Sequence, residues 1–156
     1  MILFKLKPTD KSCAWFEEHK IDLRAMEVAI SMLFSEVVPN HQTRIKNLSI
    51  QIRYGATCSD YTFTTDKIRL CDIPDSSARS NKRHKMAVFK HFLHEFRHWM
   101  QSKVFKVSGT KLTFDESDVE RNTHAYFRNE YEIDARKFAR TYLSKFYRYY
   151  KTYEQL

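Results

Sequence analysis

Residues 91 to 101 read "HFLHEFRHWMQ" and place His94, Glu95 and His98 in the arrangement H-E-x-x-H. On a helix, positions four apart share a face one turn apart. His94 and His98 therefore present their imidazoles from one side, where a divalent cation fits between them. Glu95 lies one step round, beyond coordination range but within reach of a water held by the ion. Metal and carboxylate together are the equipment of metal-assisted hydrolysis: the ion acidifies water and the glutamate takes the proton. The competing reading is a pair of surface histidines on an amphipathic helix. A chain of this composition yields about 0.02 such matches by chance. The flanking Phe92, Leu93, Phe96, Trp99 and Met100 put the histidines at the edge of a core, where an unliganded polar ring is hard to satisfy.

The periodicity around the motif predicts one helix from about Arg83 to Val104, with Phe89, Phe92, Leu93, Phe96, Met100 and Val104 as its apolar stripe. Upstream, "MILFKL" suits a short strand closed by Pro8. "IDLRAMEVAISMLFSEVVP" follows as a helix, with Leu23, Met26, Ile30, Leu33, Phe34 and Val37 inward, capped by Asp22 and ended by Pro39. "NLSIQIRY" alternates Leu48, Ile50 and Ile52 with polar residues, as a half-buried strand does. "YTFTTDKIRLC" reads as a hairpin, Tyr61 to Phe63 and Ile68 to Cys71, turning at "TTDK", with one longer edge strand as the alternative. Downstream of the motif helix, residues 105 to 120 are polar and irregular, with a turn at Gly109. From about Val119 to Tyr153 the pattern is helical again, as one helix or two. The expected class is α+β: a small antiparallel or mixed sheet against the H-E-x-x-H helix and a C-terminal acidic helix.

The chain has 156 residues, enough for one domain spanning 1–156. With two glycines, it has little material for a Gly-rich phosphate cradle. Cys13, Cys58 and Cys71 form no C-x-x-C pair, which fits buried thiols in a reduced compartment. No basic region precedes the first apolar run, and the apolar stretch at 23–38 is broken by Arg24, Glu27 and Glu36. A cytoplasmic protein with no membrane contact is expected. The formal net charge of +8 raises the prospect of a nucleic acid or an acidic protein surface as partner.

A catalytic zinc needs a third protein ligand. The downstream possibilities are His124, Glu130, Glu132 and Asp134. On a helix Glu130 and Asp134 share a face, whereas Glu132 points away from Glu130, so only one of these carboxylates can face the metal.

Here the sequence resembles a family. An H-E-x-x-H helix followed by a glutamate helix is similar to the glutamate-type zincins (gluzincins). Glu132, Ala135, Phe138 and Ala139 match the E-x-x-A-x-x-F-A pattern of ImmA/IrrE-like metallopeptidases and related phage-encoded zincin-like proteins. The resemblance spans residues 84 to 140. It implies a minimal zincin-like fold and one Zn2+ held by His94, His98 and Glu132, with Glu95 as general base in hydrolysis of a peptide or protein substrate. A phage-encoded member would act in the host-cell cytoplasm. It also implies alanines that let the two helices approach, and an edge strand, "YTFTTDKIRLC", that pairs with extended peptide. Asn129, Glu130 and Asp134 fit instead the N-E-x-x-x-D pattern of thermolysin-like enzymes, with Glu130 as ligand and Asp134 orienting the first histidine. His124 would give an all-histidine site similar to SprT-like proteases, without their surrounding signature. Tyr126, Tyr131, His124 and Arg128 are the nearest groups by sequence for stabilising an oxyanion.

A reading from another class remains. "NKRHK" at 81–85 and the tail "RKFARTYLSKFYRYYKTY" combine basic and aromatic residues, as in a nucleic-acid-binding or regulatory protein whose zinc site is structural or inert. The two readings would coincide in a DNA-associated protease.

Overall fold

Leu48, Ile50 and Ile52 alternate with polar residues, and all three are buried along the central strand of the sheet. The computed structural model describes residues 2–41, 44–73, 80–108 and 129–154. These form, in order, β1 (Phe4–Pro8), α1 (Asp10–Glu18), α2 (Leu23–Val37), β2 (Lys46–Arg53), β3 (Asp60–Thr62), β4 (Lys67–Cys71), α3 (Asn81–Lys103) and α4 (Glu130–Tyr153). The fold is α+β with a mixed sheet ordered β1-β2-β4-β3. β2 pairs in parallel with β1 (Leu6 opposite Leu48) and with β4 (Ile50 opposite Ile68). β3 runs antiparallel to β4 at the edge, with Tyr61 opposite Ile68.

The expected hairpin is present, with β3 shifted one residue earlier and β4 beginning one residue earlier. Its turn puts Asp66 in the left-handed region (φ 49), which aspartate tolerates better than most residues. The Tyr61 hydroxyl closes it by donating to Asp66 at 2.6 Å.

One element escaped the sequence reading: α1 fills the stretch between β1 and α2 where no structure was expected. Thr9 caps it by accepting from the Ser12 amide at 3.3 Å. Ser12 Oγ in turn accepts the Ile52 amide at 2.8 Å, while Trp15 and Phe16 enter the core. Nine residues with two adjacent large apolar side chains show too little periodicity to signal a helix.

α2 covers the outer edge of β1. Glu27 Oε1 accepts the Leu6 amide at 3.1 Å and Ser31 Oγ the Leu3 amide at 2.9 Å. Pro8, in the same alternation as Leu6, has no amide hydrogen to offer. Asp22 caps α2 as expected.

α3 and α4 pack antiparallel. Lys85 meets Glu154 at one end (2.7 Å), and Arg97 meets Asp134 at the other (2.8 Å). Ala135 and Ala139 are fully buried along this contact, so the helices approach closely where no larger side chain holds them apart. Above them Phe96 meets Phe4, Trp99 and Phe92 at ring-centroid distances of 5.1, 5.4 and 6.0 Å. On the α4 side, Phe89 and Phe92 both contact Phe146. Apart from Cys71 and Ala135, the buried apolar side chains form one contiguous cluster.

The final helix is continuous from Glu130 to Tyr153. Its expected beginning at Val119 and the turn at Gly109 lie outside the described residues. Cys71 is buried, whereas Cys13 and Cys58 are half-buried rather than core. Among the described residues no helix is long and apolar enough to cross a membrane.

Phe96 touches both the sheet and the neighbouring helices, so Phe96→Ala should lower unfolding stability by about 3–5 kcal/mol. Ile133→Ala, at a position 48% exposed, should stay within about 0.5 kcal/mol. Chemical denaturation of the two variants beside wild type measures both.

Candidate metal centre

Ser80 caps α3 by accepting the Arg83 amide at 3.2 Å, and from there 23 residues run without a break. His91, His94, Glu95 and His98 thus share one face, turned toward α4 and the β3 edge. Asn129 caps α4, its Oδ1 accepting the Tyr131 and Glu132 amides at 2.9 and 3.3 Å. The cap places Glu132 in the first turn, pointing at α3.

The Glu132 carboxylate bridges the two imidazoles. Oε2 lies 2.9 Å from His94 Nε2, and Oε1 lies 2.9 Å from His98 Nε2. Glu132 is 4% exposed and His98 equally so. One ligating atom from each of the three residues falls within 4.8 Å of the others.

The donor set fits a metal. Zinc takes nitrogen and oxygen at about 2.0–2.2 Å, which puts tetrahedral ligand atoms roughly 3.3 Å apart. The two imidazole–carboxylate separations of 2.9 Å lie close to that value. These residues could hold a divalent ion, and among the described residues no other His, Cys, Asp or Glu joins them. A site made of these three ligands from the described residues would leave a coordination position for water or substrate, unlike the closed four-ligand structural zinc site.

A chain of hydrogen bonds behind His98 settles its orientation. Gln101 Nε2 donates to the Tyr131 carbonyl (3.0 Å) and to Asp134 Oδ2 (2.9 Å). Both partners can only accept, so Gln101 Oε1 must face His98 Nδ1, 2.7 Å away. Nδ1 therefore carries a proton, and Nε2 is the atom available to a metal. Asp134 is held in turn by Arg97, whose guanidinium lies over the Phe138 ring at 4.8 Å.

The electrostatics follow from burial and partners. Burial opposes charge on His98, but the Glu132 hydrogen bond and the Glu95 and Glu132 charges outweigh it, raising its pKa to about 9. Burial works against the Glu132 carboxylate too, yet its bonds to His94 and His98 hold it well below the usual range. Glu95 is 5% exposed. Its burial, only partly offset by the two histidines, pushes its carboxyl up to about 7.

Of the residues singled out from the sequence, the structure brings together His94, His98, Glu132 and the adjacent Glu95. Glu130 is exposed in the first turn of α4 and outside the cluster. Asp134 reaches the second histidine, through Gln101, rather than the first. Tyr131 contributes its backbone carbonyl. His124, Tyr126 and Arg128 lie outside the described residues.

Two residues went unread in the sequence. Gln101 stands three positions after His98, but its importance depends on Asp134 from another helix. His91 precedes His94 by three residues, and its Nδ1 lies 3.1 Å from Ser59 Oγ and 3.7 Å from Cys71 Sγ. Burial, with His94 and Lys90, lowers its pKa. The Ser59–His91 bond fastens one end of the β3–β4 hairpin to α3. At the other end Lys103 donates to the Phe63 carbonyl at 3.3 Å. β3 is thereby held alongside the face that carries the triad.

No family model matches this chain, and no curated protein or solved structure is significantly similar to it.

Because the His98 pKa is raised, its ion pair stabilises the metal-free protein fully below about pH 6.5 and is lost as pH rises through about 9. A metal competes for the same Nε2. Zinc added at pH 7.5 should therefore release about one proton per ion, read from calorimetric heats in buffers of different ionisation enthalpy. Gln101→Leu removes the acceptor that orients His98 and should weaken zinc binding about 10- to 100-fold in the same titration.

Proposed function

We propose that the chain is a zinc-dependent peptidase in which His94, His98 and Glu132 hold the ion and Glu95 is the general base. One observation carries the reading: two imidazoles from α3 and a carboxylate from α4 converge, with a second buried carboxylate on the next residue of α3. The resemblance of Glu132, Ala135, Phe138 and Ala139 to the ImmA/IrrE-like pattern supports it, as does the small-residue contact between the two helices. Zinc is the default ion for two histidines and a glutamate beside a buried carboxylate base. When bound, the ion supplies Lewis acidity, polarising a carbonyl and bringing water within reach of a weak base at neutral pH.

The chain's own groups supply the rest. Glu95 accepts the proton of the attacking water and returns it to the leaving amine. A carboxyl pushed up to about 7 by burial is suited to both transfers, since its affinity for the proton is neither too strong nor too weak at neutral pH. Gln101 keeps His98 turned toward the ligand position through the proton on Nδ1. β3, paired on one side with β4 and without a strand neighbour on the other among the described residues, offers its outer backbone groups to an extended peptide.

The test is Glu95→Gln. Both proteins should carry one zinc by elemental analysis, while cleavage of a peptide library by the variant should fall about 10²- to 10⁴-fold. A zinc-loaded wild type that leaves the library intact, or an undiminished variant, would refute the peptidase assignment. kcat/KM should rise with pH as Glu95 ionises. The acid limb should lie below pH 7, because the positive charge of a bound cation draws the pKa down from its metal-free value.

A further inference from the structure

From Ala135 to Tyr153, α4 carries six basic side chains and no acidic one. Lys145 is bound to Glu36 of α2 at 2.8 Å. At 3.6 residues per turn, Lys137, Arg140, Thr141, Ser144, Arg148 and Lys151 fall in a single arc roughly 100° wide. All six are exposed to solvent. Lys137 to Lys151 spans about 21 Å. Lys151 is paired with Glu154 at 2.7 Å. Lys137, Arg140 and Arg148 make no ion pair with any described residue. The helix dipole rewards cations only in the last turn, which accounts for Lys151 and for none of the other three. Lys82, at the start of α3, widens the stripe on one side, lying 5.5 Å from the Tyr147 ring.

We propose that this face of α4 binds the phosphate backbone of duplex nucleic acid. A duplex presents one negative charge per about 1.7 Å of axis, so a straight row of this length meets a continuous line of phosphates. Arg140 and Arg148 can each grip a phosphate with two N–H groups, and the Thr141 and Ser144 hydroxyls between them are further donors. Single strands are recognised by stacking bases on exposed rings, and this face has none. Tyr142, Tyr147 and Tyr149 pack against the core and Tyr150 is buried. An anionic membrane requires an apolar face to insert, and every exposed position from Lys137 to Lys151 is polar.

The contacts are to backbone, so the surface localises the protein without selecting sequence. It lies on α4 opposite the side that supplies Glu132, so occupancy leaves the metal centre uncovered.

The test is fluorescence anisotropy with a labelled 20-base-pair random duplex at several salt concentrations. The combined variant Lys137→Gln, Arg140→Gln, Arg148→Gln should bind more than tenfold more weakly at 0.1 M salt. Its dependence of log affinity on log salt should be shallower by about 2.7, which is 0.9 for each of three lost contacts. Lys7→Gln, Lys11→Gln, Lys67→Gln removes the same net charge from β1, α1 and β4 and should leave the slope unchanged. Equal losses in both variants, or no binding by wild type at 50 mM salt, would overturn the proposal. So would polyglutamate or phosphatidylserine vesicles competing as effectively, per unit charge, as unlabelled duplex. Zinc stoichiometry should be the same in all three proteins, which separates this outcome from that of the peptidase test.

Discussion

A carboxylate buried between two imidazoles, where two helices pack through alanines and aromatic rings, is the interaction around which the molecule is organised. Glu132 and His98 have little access to water and His94 is half-buried, so the carboxylate and the inner ring must find partners within the protein or at a metal. That requirement fixes how α4 lies on α3. The helices have to be close enough for a short carboxylate arm to reach two rings, and Ala135 and Ala139 leave the room for it. It also fixes the outer polar groups, because His98 reaches the wanted orientation only if Gln101, Asp134 and Arg97 are each satisfied in sequence.

The same contact divides labour between two faces of α4. One face is apolar with a single acidic residue at its start, and it joins the core and the triad. The opposite face is polar and cationic. The acidic residues gather at the positive end of the helix dipole and the basic ones beyond them, a distribution that favours the helix before any tertiary contact forms. Glu130, Glu132 and Asp134 occupy neighbouring positions and meet different surroundings: solvent, two histidines, and an arginine with a glutamine. Chemical type alone does not distinguish them.

How much of this could be read from the residues follows from the range of each interaction. The His94–Glu95–His98 face is set by helical spacing, which a sequence displays directly, and so are the stripes of α2 and α3 and the alternation of β2. The third ligand was a choice among His124 and three carboxylates; helical geometry separated Glu132 from Glu130 and Asp134, and only the resemblance of Glu132, Ala135, Phe138 and Ala139 to the E-x-x-A-x-x-F-A pattern favoured a side. α1 was invisible because Trp15 and Phe16 are adjacent rather than periodic. The strand order could not be read either: β2 pairs with β4 and bypasses its sequence neighbour β3, and the hairpin leans on α3 through Ser59 and Lys103, contacts between elements distant in sequence.

The two borders of the sheet are built differently. Along β1, a helix side chain occupies the Leu6 amide and a proline removes the next donor; along β3, only β4 lies beside the backbone among the described residues. A sheet can propagate from molecule to molecule only if each copy has two open borders, one to receive and one to offer. With a single open border among the described residues, strand addition ends after one step. A guest segment can be accommodated there, or a second copy edge to edge, but a fibre cannot grow.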